Sequence, residues 1–135
     1  NKSLINSPYQ VIGFNWGDSS DQLLELNSNQ KYDLVILADL VFNHIRHRAL
    51  LTNLKECLKR SENDNSTTPP FALVTFTPHR PKLFEEDLNF FRIATNEFGF
   101  EVVQLNSVEM GVMFEEDPGD ARLRSTVFVY TMRLR

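Results

Sequence analysis

Several features that mark other classes of protein are scarce or absent in this chain. Its 135 residues contain one cysteine, Cys57, so no internal disulfide can form and a reducing compartment fits best. No apolar run approaches the ~20 residues of a membrane-spanning helix, and no signal-peptide pattern opens the chain. A net charge of -4 argues against broad phosphate binding, which needs a basic face. We therefore expect one cytoplasmic domain that binds neither membrane nor nucleic acid.

The stretch at residues 32–48 is the one around which the rest is organised. Within it, Leu34–Ala38 is an unbroken apolar run, typical of a parallel-sheet strand buried on both faces, and a polar and aromatic turn follows. In open parallel sheets, ligands bind beyond the carboxyl ends of the strands. The sequence therefore predicts a site in this turn, at Asp39, Phe42, Asn43 and His44.

Hydrophobic periodicity predicts the remaining elements. Short β-branched or alternating runs indicate strands at residues 10–14, 71–77, 100–105 and 125–133. Apolar residues at helical spacing indicate helices at residues 21–26, at residues 43–59 and from near Pro81 to Gly99. Residues 61–70 are polar and lack periodicity, which indicates a flexible surface loop. Because no full crossover helix separates the last two strands, we expect an antiparallel pair at one edge of an otherwise parallel sheet.

Three features have both a structural and a functional interpretation. Trp16, at the carboxyl end of the first strand, is either a partly buried core residue or a stacking wall for a flat ligand. The basic run at residues 46–48 is interpreted as a solvated helix face and not as a substrate contact. Cys57 falls on the apolar stripe of its helix, so we interpret it as a small buried hydrophobe and not as a nucleophile.

The connection at residues 108–124 is longer than a hairpin needs. It combines apolar residues with an acidic run at 115–117 and two arginines. Long connections of this kind are commonly functional. We hold two interpretations of it: a solvated loop with an apolar anchor, or a substrate-recognition loop that uses Met110, Met113 and Phe114.

Four motifs stand in a fixed order along the chain. They are Asn-Trp-Gly-Asp at 15–18, Tyr-Asp-Leu-Val-Ile-Leu-Ala-Asp-Leu-Val-Phe-Asn-His at 32–44, Phe-Thr-Pro-His-Arg-Pro at 76–81 and Met-Phe-Glu-Glu-Asp-Pro-Gly-Asp at 113–120. With them, nearly the whole chain resembles the fungal branch of the seven-strand (family 16) lysine methyltransferases. Those proteins were first described as nicotinamide N-methyltransferase-like, and they are protein N-terminal and lysine methyltransferases that act on translation elongation factor 1-alpha. The resemblance implies an α/β, Rossmann-like fold, of which this chain supplies the third to seventh strands with the last one antiparallel.

The resemblance also implies a cofactor, S-adenosylmethionine, and a role for each motif. Trp16 and Gly17 would flank its adenine, while Ala38 and Asp39 would contact it from the end of the strand. The acidic-x-x-aromatic motif formed by Asp39 and Phe42 would lie beside the methionine end of the cofactor and the entering amine. The resemblance also implies that the substrate channel is lined by Asn43, His44, His79 and Arg80. If the loop at 108–124 recognises substrate, Met113 and Phe114 line the channel as well. It implies no metal.

Methyl transfer to nitrogen needs a neutral amine, although a free lysine has a pKa of about 10.4 and a terminal amine one of about 7.7 to 8.0. The carboxylate of Asp39 can orient an entering ammonium, and Phe42 can hold it by cation-π attraction. His44 has two interpretations: it takes the substrate proton, or it is a helix-start histidine bonded to backbone. Asp39, Asn43 and His44 are the predicted catalytic residues.

One part of the family pattern has no counterpart in this chain. The five glycines are scattered and no G-x-G-x-x-G occurs, so both the glycine-rich loop of the family and its ribose-binding acid are missing. In the family's sheet, two further strands would separate Trp16 from Asp39, and at ~4.8 Å per strand their loss leaves a gap of roughly 14 Å. We therefore expect an incomplete methyltransferase domain that is inactive without its amino-terminal half. The alternatives are a truncated, non-catalytic domain that binds a protein, and an N-methyltransferase for a small amine such as nicotinamide.

Overall fold

A five-stranded mixed sheet forms the centre of the protein. The structure is a computed structural model, and it describes residues 9–61 and 68–134, so most of the predicted loop at 61–70 lies outside the described residues. The strands are β1 (Leu34–Ala38), β2 (Phe71–Phe76), β3 (Phe100–Gln104), β4 (Val108–Glu109) and β5 (Thr126–Leu134). Their order across the sheet is β1-β2-β5-β3, and β4 adds a short pairing to β5.

The pairing pattern confirms the predicted antiparallel pair at one edge of the sheet. β1 and β2 are parallel, and β3 and β5 form the predicted antiparallel pair. β5 is also antiparallel to β2, so along the path β1-β2-β5-β3 the strands β1, β2 and β3 run in one direction and β5 runs against them. The predicted pair thus lies at one edge, with β3 outermost. β5 has nine residues and forms ladders on both of its sides.

Four α-helices accompany the sheet in the described part of the chain. They are α1 (Asp21–Glu25), α2 (His47–Cys57), α3 (Phe84–Phe98) and α4 (Ala121–Arg124), with 3-10 turns at His44–Arg46 and Pro81–Leu83 before α2 and α3. The predicted stop of α3 at Gly99 is confirmed, and that residue has the left-handed φ of 76° that favours glycine. None of these helices is long and apolar enough to cross a membrane.

The hydrophobic core lies between one face of the sheet and the helices α2 and α3. Aromatic stacking is prominent in it: the rings of Phe91 and Tyr130 have centroids 3.9 Å apart. Cys57 is buried in this core, as predicted, and burial raises the pKa of its thiol. It therefore acts as a small hydrophobe.

The opposite face of the sheet is open in the described residues. β1 was predicted to be buried on both faces, but Ile36 is 58% exposed, and Leu34 and Val103 are exposed as well. The prediction was wrong because α2 and α3 both pack against the other face, and because β1 is the end strand of the sheet.

Residues 10–14 do not form the predicted first strand. Val11 is 89% exposed, and no described residue offers this segment a ladder of hydrogen bonds. A strand is stable only with such a partner, so the β-branched centre alone was not sufficient. The expected gap between two separate strands is therefore not formed: Trp16 packs against the core, where it lines a cavity of about 160 Å³ together with Leu37 and Leu40.

Candidate functional site

The turn after β1 begins with a residue in a strained conformation. Asp39 has φ +53°, in the left-handed region, while its backbone N–H donates to the carbonyl of Thr75 on β2 at 2.7 Å. Aspartate tolerates this region better than most residues, but a non-glycine residue there still costs on the order of 1 kcal/mol. Its carboxylate is half exposed and lies 3.3 Å from Nε2 of His79. The strain thus falls on the residue that the sequence placed at the centre of the site.

The turns after β1 and β2 meet at one edge of the sheet, as expected for parallel neighbours. His79 reaches Asp39 from the second turn, and the guanidinium of Arg80 donates to the backbone carbonyl of Phe42 at 3.2 Å. The ring of Phe42 remains exposed beside them. Four of the predicted residues, Asp39, Phe42, His79 and Arg80, therefore form one cluster.

Asn43 and His44 follow in the same turn but have different surroundings. Asn43 precedes the 3-10 turn, accepts a backbone hydrogen bond from Arg46 N–H at 3.0 Å, and makes no side-chain capping bond. His44 Nε2 lies 2.7 Å from a carboxylate oxygen of Asp87. The backbone-bonded interpretation of His44 was therefore wrong, because its partner is a side chain on α3.

Asp87 is a functional candidate that the sequence reasoning missed. It is only 5% exposed, and burial raises the pKa of its carboxyl, while the hydrogen bond to His44 acts in the opposite direction. A signal was present in the sequence: Asp87 lies three residues after Phe84 and four before Phe91, so it stands on the apolar stripe of the helix. A charged residue in that position indicates a buried partner.

His47 corrects the interpretation of residues 46–48 as a solvated face. Arg46 and Arg48 are exposed as expected, but His47 is only 2% exposed and its Nε2 donates to the carbonyl of Val41 at 2.6 Å. The 3-10 turn before α2 places His47 toward the core, against Phe90. Because a carbonyl only accepts, Nε2 carries the proton, and Nδ1 is buried without a partner among the described residues. Burial lowers the pKa of this imidazole.

The loop at residues 108–124 contacts the cluster through Phe114. The ring of Phe114 packs edge-on against His79, with centroids 5.9 Å apart, and its carbonyl accepts from buried Arg124 at 2.7 Å. Met113, in contrast, is exposed and makes no described contact with the cluster. Gly119, at φ +106°, fits closely over Pro81, since a Cβ there would lie 3.2 Å from the proline ring. A cavity of about 410 Å³ lies beside this contact, between the turn at 79–83 and residues 117–118.

The Trp16-Gly17 turn is attached to α2 by a buried amide. Asn53 accepts from Gly17 N–H at 2.7 Å and donates to the carbonyl of Asp18 at 2.8 Å. Gly17 has φ +98°, and a Cβ there would lie 3.3 Å from Ala49. Trp16 is half-buried against the core, which favours the structural interpretation of this residue. Asn53 gave no sequence signal beyond being a polar residue within an apolar stripe.

The residues that the sequence assigned to the cofactor are not all at one place. Ala38 and Asp39 are exposed at the end of β1, whereas Gly17 is bound to α2 and Trp16 contributes to the separate apolar cavity next to Leu40. Within residues 9–61 and 68–134, no group of three or more histidine, cysteine or acidic side chains could hold a metal ion.

Comparison with known proteins identifies the class to which this chain is similar. No family model matches the chain. The similar proteins are fungal protein methyltransferases, aligned over about nine-tenths of the chain or more, and the resemblance predicted from the four motifs is confirmed.

The particular relatives carry one name, protein N-terminal and lysine N-methyltransferase EFM7. The protein of Yarrowia lipolytica is 43% identical over 129 residues, 96% of this chain and 44% of the relative. That of Candida glabrata is 42% identical over 124 residues, 91% of this chain and 45% of the relative. That of Schizosaccharomyces pombe is 34% identical over 133 residues, 96% of this chain and 49% of the relative. The chain thus spans about half the length of the curated relatives it matches.

Proposed function

We propose that this chain supplies the amine-binding side of an S-adenosylmethionine-dependent protein N-methyltransferase with a Rossmann-like, seven-strand fold. The observation that carries the proposal is the cluster at the carboxyl ends of β1 and β2, where the Asp39 carboxylate lies beside the exposed ring of Phe42. The names of the relatives support a lysine side chain or an N-terminal amine as the acceptor. By resemblance, the substrate is translation elongation factor 1-alpha in the cytoplasm.

The residues present fit one side of the cofactor. The half-exposed carboxylate of Asp39, next to exposed Ala38, offers a negative group to a sulfonium. The cavity beside Trp16, at about 160 Å³, is smaller than the 300 Å³ or more typical of ligand sites, so the adenine side is incomplete in this chain. We infer that activity needs a further segment that carries the glycine-rich loop and the ribose-binding acid.

When bound, S-adenosylmethionine supplies an electrophilic methyl group, which the neutral substrate nitrogen takes in an in-line displacement. Asp39 orients the incoming ammonium through its carboxylate, and Phe42 holds it by cation-π attraction, worth about 0.5 to 2 kcal/mol. Arg80 fixes the backbone of Phe42, and Phe114 covers His79 on the side of the loop. These residues contribute mainly alignment and exclusion of water. His44, at the end of the same turn, takes the proton that the ammonium must lose.

Methyl transfer from labelled cofactor tests the proposal. The chain is assayed alone and extended by the amino-terminal half of the Yarrowia lipolytica relative, with elongation factor 1-alpha and with nicotinamide as acceptors. We expect the extended protein to label elongation factor 1-alpha, and D39N to reduce the rate at least tenfold. The exposed Asp33, which pairs with Lys59, provides the matched control D33N.

Two results would reject the proposal. Labelling of nicotinamide alone would assign a small-amine methyltransferase. Absence of both transfer and cofactor binding, measured by calorimetry on the extended protein, would leave a non-catalytic protein-binding domain.

A further inference from the structure

Asp87 is placed unlike the other acids in the first turn of α3. Glu85 and Glu86 are exposed, and Glu85 pairs with Arg92 at the surface. Acids in this position stabilise a helix through its dipole whether or not they are buried. Asp87 is instead buried, and a buried carboxylate without a partner is costly. Its burial therefore needs a reason other than helix stability.

The carboxylate of Asp87 is surrounded by groups that belong to the candidate site. It accepts a hydrogen bond from His44 at 2.7 Å, and the positive charge of Arg80 and the ring of His47 also act on it. Arg80 in turn holds the carbonyl of Phe42, and His47 holds that of Val41. Asp87 thus interacts with one residue from each of the two turns, His44 and Arg80.

The geometry fixes which nitrogen of His44 can take part in chemistry. A carboxylate accepts, so Nε2 of His44 carries a proton, and Nδ1 of the neutral ring keeps its lone pair. An imidazole oriented in this way can accept a proton at Nδ1, and the resulting imidazolium is stabilised by the carboxylate behind it.

We infer that Asp87 is a positioning residue for methyl transfer, which holds the ring of His44 and sets its tautomer. The inference rests on the proposed function. In the step concerned, the substrate ammonium gives one proton to Nδ1 of His44 and becomes the neutral amine that attacks the methyl group. Asp87 exchanges no proton in this step. The other charged groups around the pair are His47 on α2, Arg80 on the turn after β2, and Glu86, which acts on His47.

The first experiment does not depend on activity. The tautomer of His44 is read from the 15N chemical shifts of its ring by NMR, in the full chain and in the variants D87N and E85Q. D87N keeps the size of the side chain, but its amide can donate as well as accept, so a proton on Nε2 of His44 is no longer required. We therefore expect the shifts of the two ring nitrogens to move toward those of a mixture of tautomers. E85Q removes an exposed charge from the same helical turn and should leave these shifts unchanged.

The second experiment measures methyl transfer in the extended, active protein. D87N should lower kcat, and it should have no further effect when His44 is already replaced by glutamine. A structural tie between α3 and the turn would change the melting temperature without this dependence on His44. An unchanged His44 tautomer in D87N, or equal losses in kcat with and without His44, would overturn the inference. Absence of transfer by the unsubstituted protein would instead refute the proposed function, and the NMR measurement would still decide whether Asp87 sets the tautomer of His44.

Discussion

Replacing Asp39 by glycine and by alanine separates the backbone strain of this residue from its chemistry. Both variants lose the carboxylate and its contact with His79. They differ in that glycine adopts φ +53° without steric cost, whereas the Cβ of alanine does not fit the left-handed region well. At an ordinary extended position, glycine is less stable than alanine by about 0.5 to 1 kcal/mol. At position 39 we expect the opposite order, with the glycine variant more stable than the alanine variant.

The expected size follows from the two opposing costs. Alanine in the left-handed region is destabilised by about 1 to 2 kcal/mol, a cost that glycine avoids. Glycine in turn loses about 0.5 to 1 kcal/mol, because it makes the unfolded chain more flexible. D39G should therefore be more stable than D39A by roughly 1 kcal/mol. The contact with His79 is half exposed and is lost in both variants, so it cancels in the comparison.

Urea unfolding at constant pH measures this difference as a shift in the midpoint with an unchanged slope. Asp33 serves as the control, because it is not among the described non-glycine residues with positive φ, so D33G should be less stable than D33A. If D39A were as stable as D39G or more so, the strained conformation of Asp39 would be refuted. Loss of methyl transfer in both D39G and D39A would show that the carboxylate is needed whatever the backbone strain at this position.

Three further predictions concern other positions. Burial lowers the pKa of His47 from 6.5, so the folded state binds fewer protons than the unfolded state. The stability that the neutral His47 contributes is therefore present above pH 6.5 and is lost as the pH falls. In H47Q, the free energy of unfolding should depend less on pH between pH 7.5 and 5.5. G17A should destabilise the protein by about 1 to 3 kcal/mol, because Gly17 has a positive φ and the new Cβ would crowd Ala49. G111A should not destabilise it, because a Cβ there meets nothing within 4 Å. Thermal melting compares the two variants. F114A should raise KM for the protein substrate at least threefold with an unchanged melting temperature, because it removes the contact with His79. M113A, at an exposed position, should alter neither KM nor the melting temperature. Equal changes in KM in the two variants would show that the loop does not act through its contact with His79.

Elements whose stability is decided locally could be predicted from the sequence. The stripe of α3 and its stop at Gly99 depend on residues close in sequence, and the structure reproduces both. The meeting of the turns that carry Asp39 and His79 also followed, because parallel neighbouring strands end at the same edge of a sheet. The segment at residues 10–14 shows the limit of such reasoning. β-Branched residues indicate a segment that can form a strand, but pairing with another strand decides whether it does.

The side chains that organise the candidate site depend on contacts between distant residues, and single residue types do not reveal them. His44 and His47 are three residues apart and look equivalent in the sequence, yet one faces a carboxylate and the other a backbone carbonyl. The difference arises because α2 begins only at His47, after a tighter 3-10 turn, which changes the direction of each ring. The partner of His44 stands 43 residues further along the chain. The one sequence feature that indicates the pair of His44 and Asp87 is a charged residue on the apolar stripe of a helix. Asp87 could therefore have been predicted as a buried partner for a residue of the site.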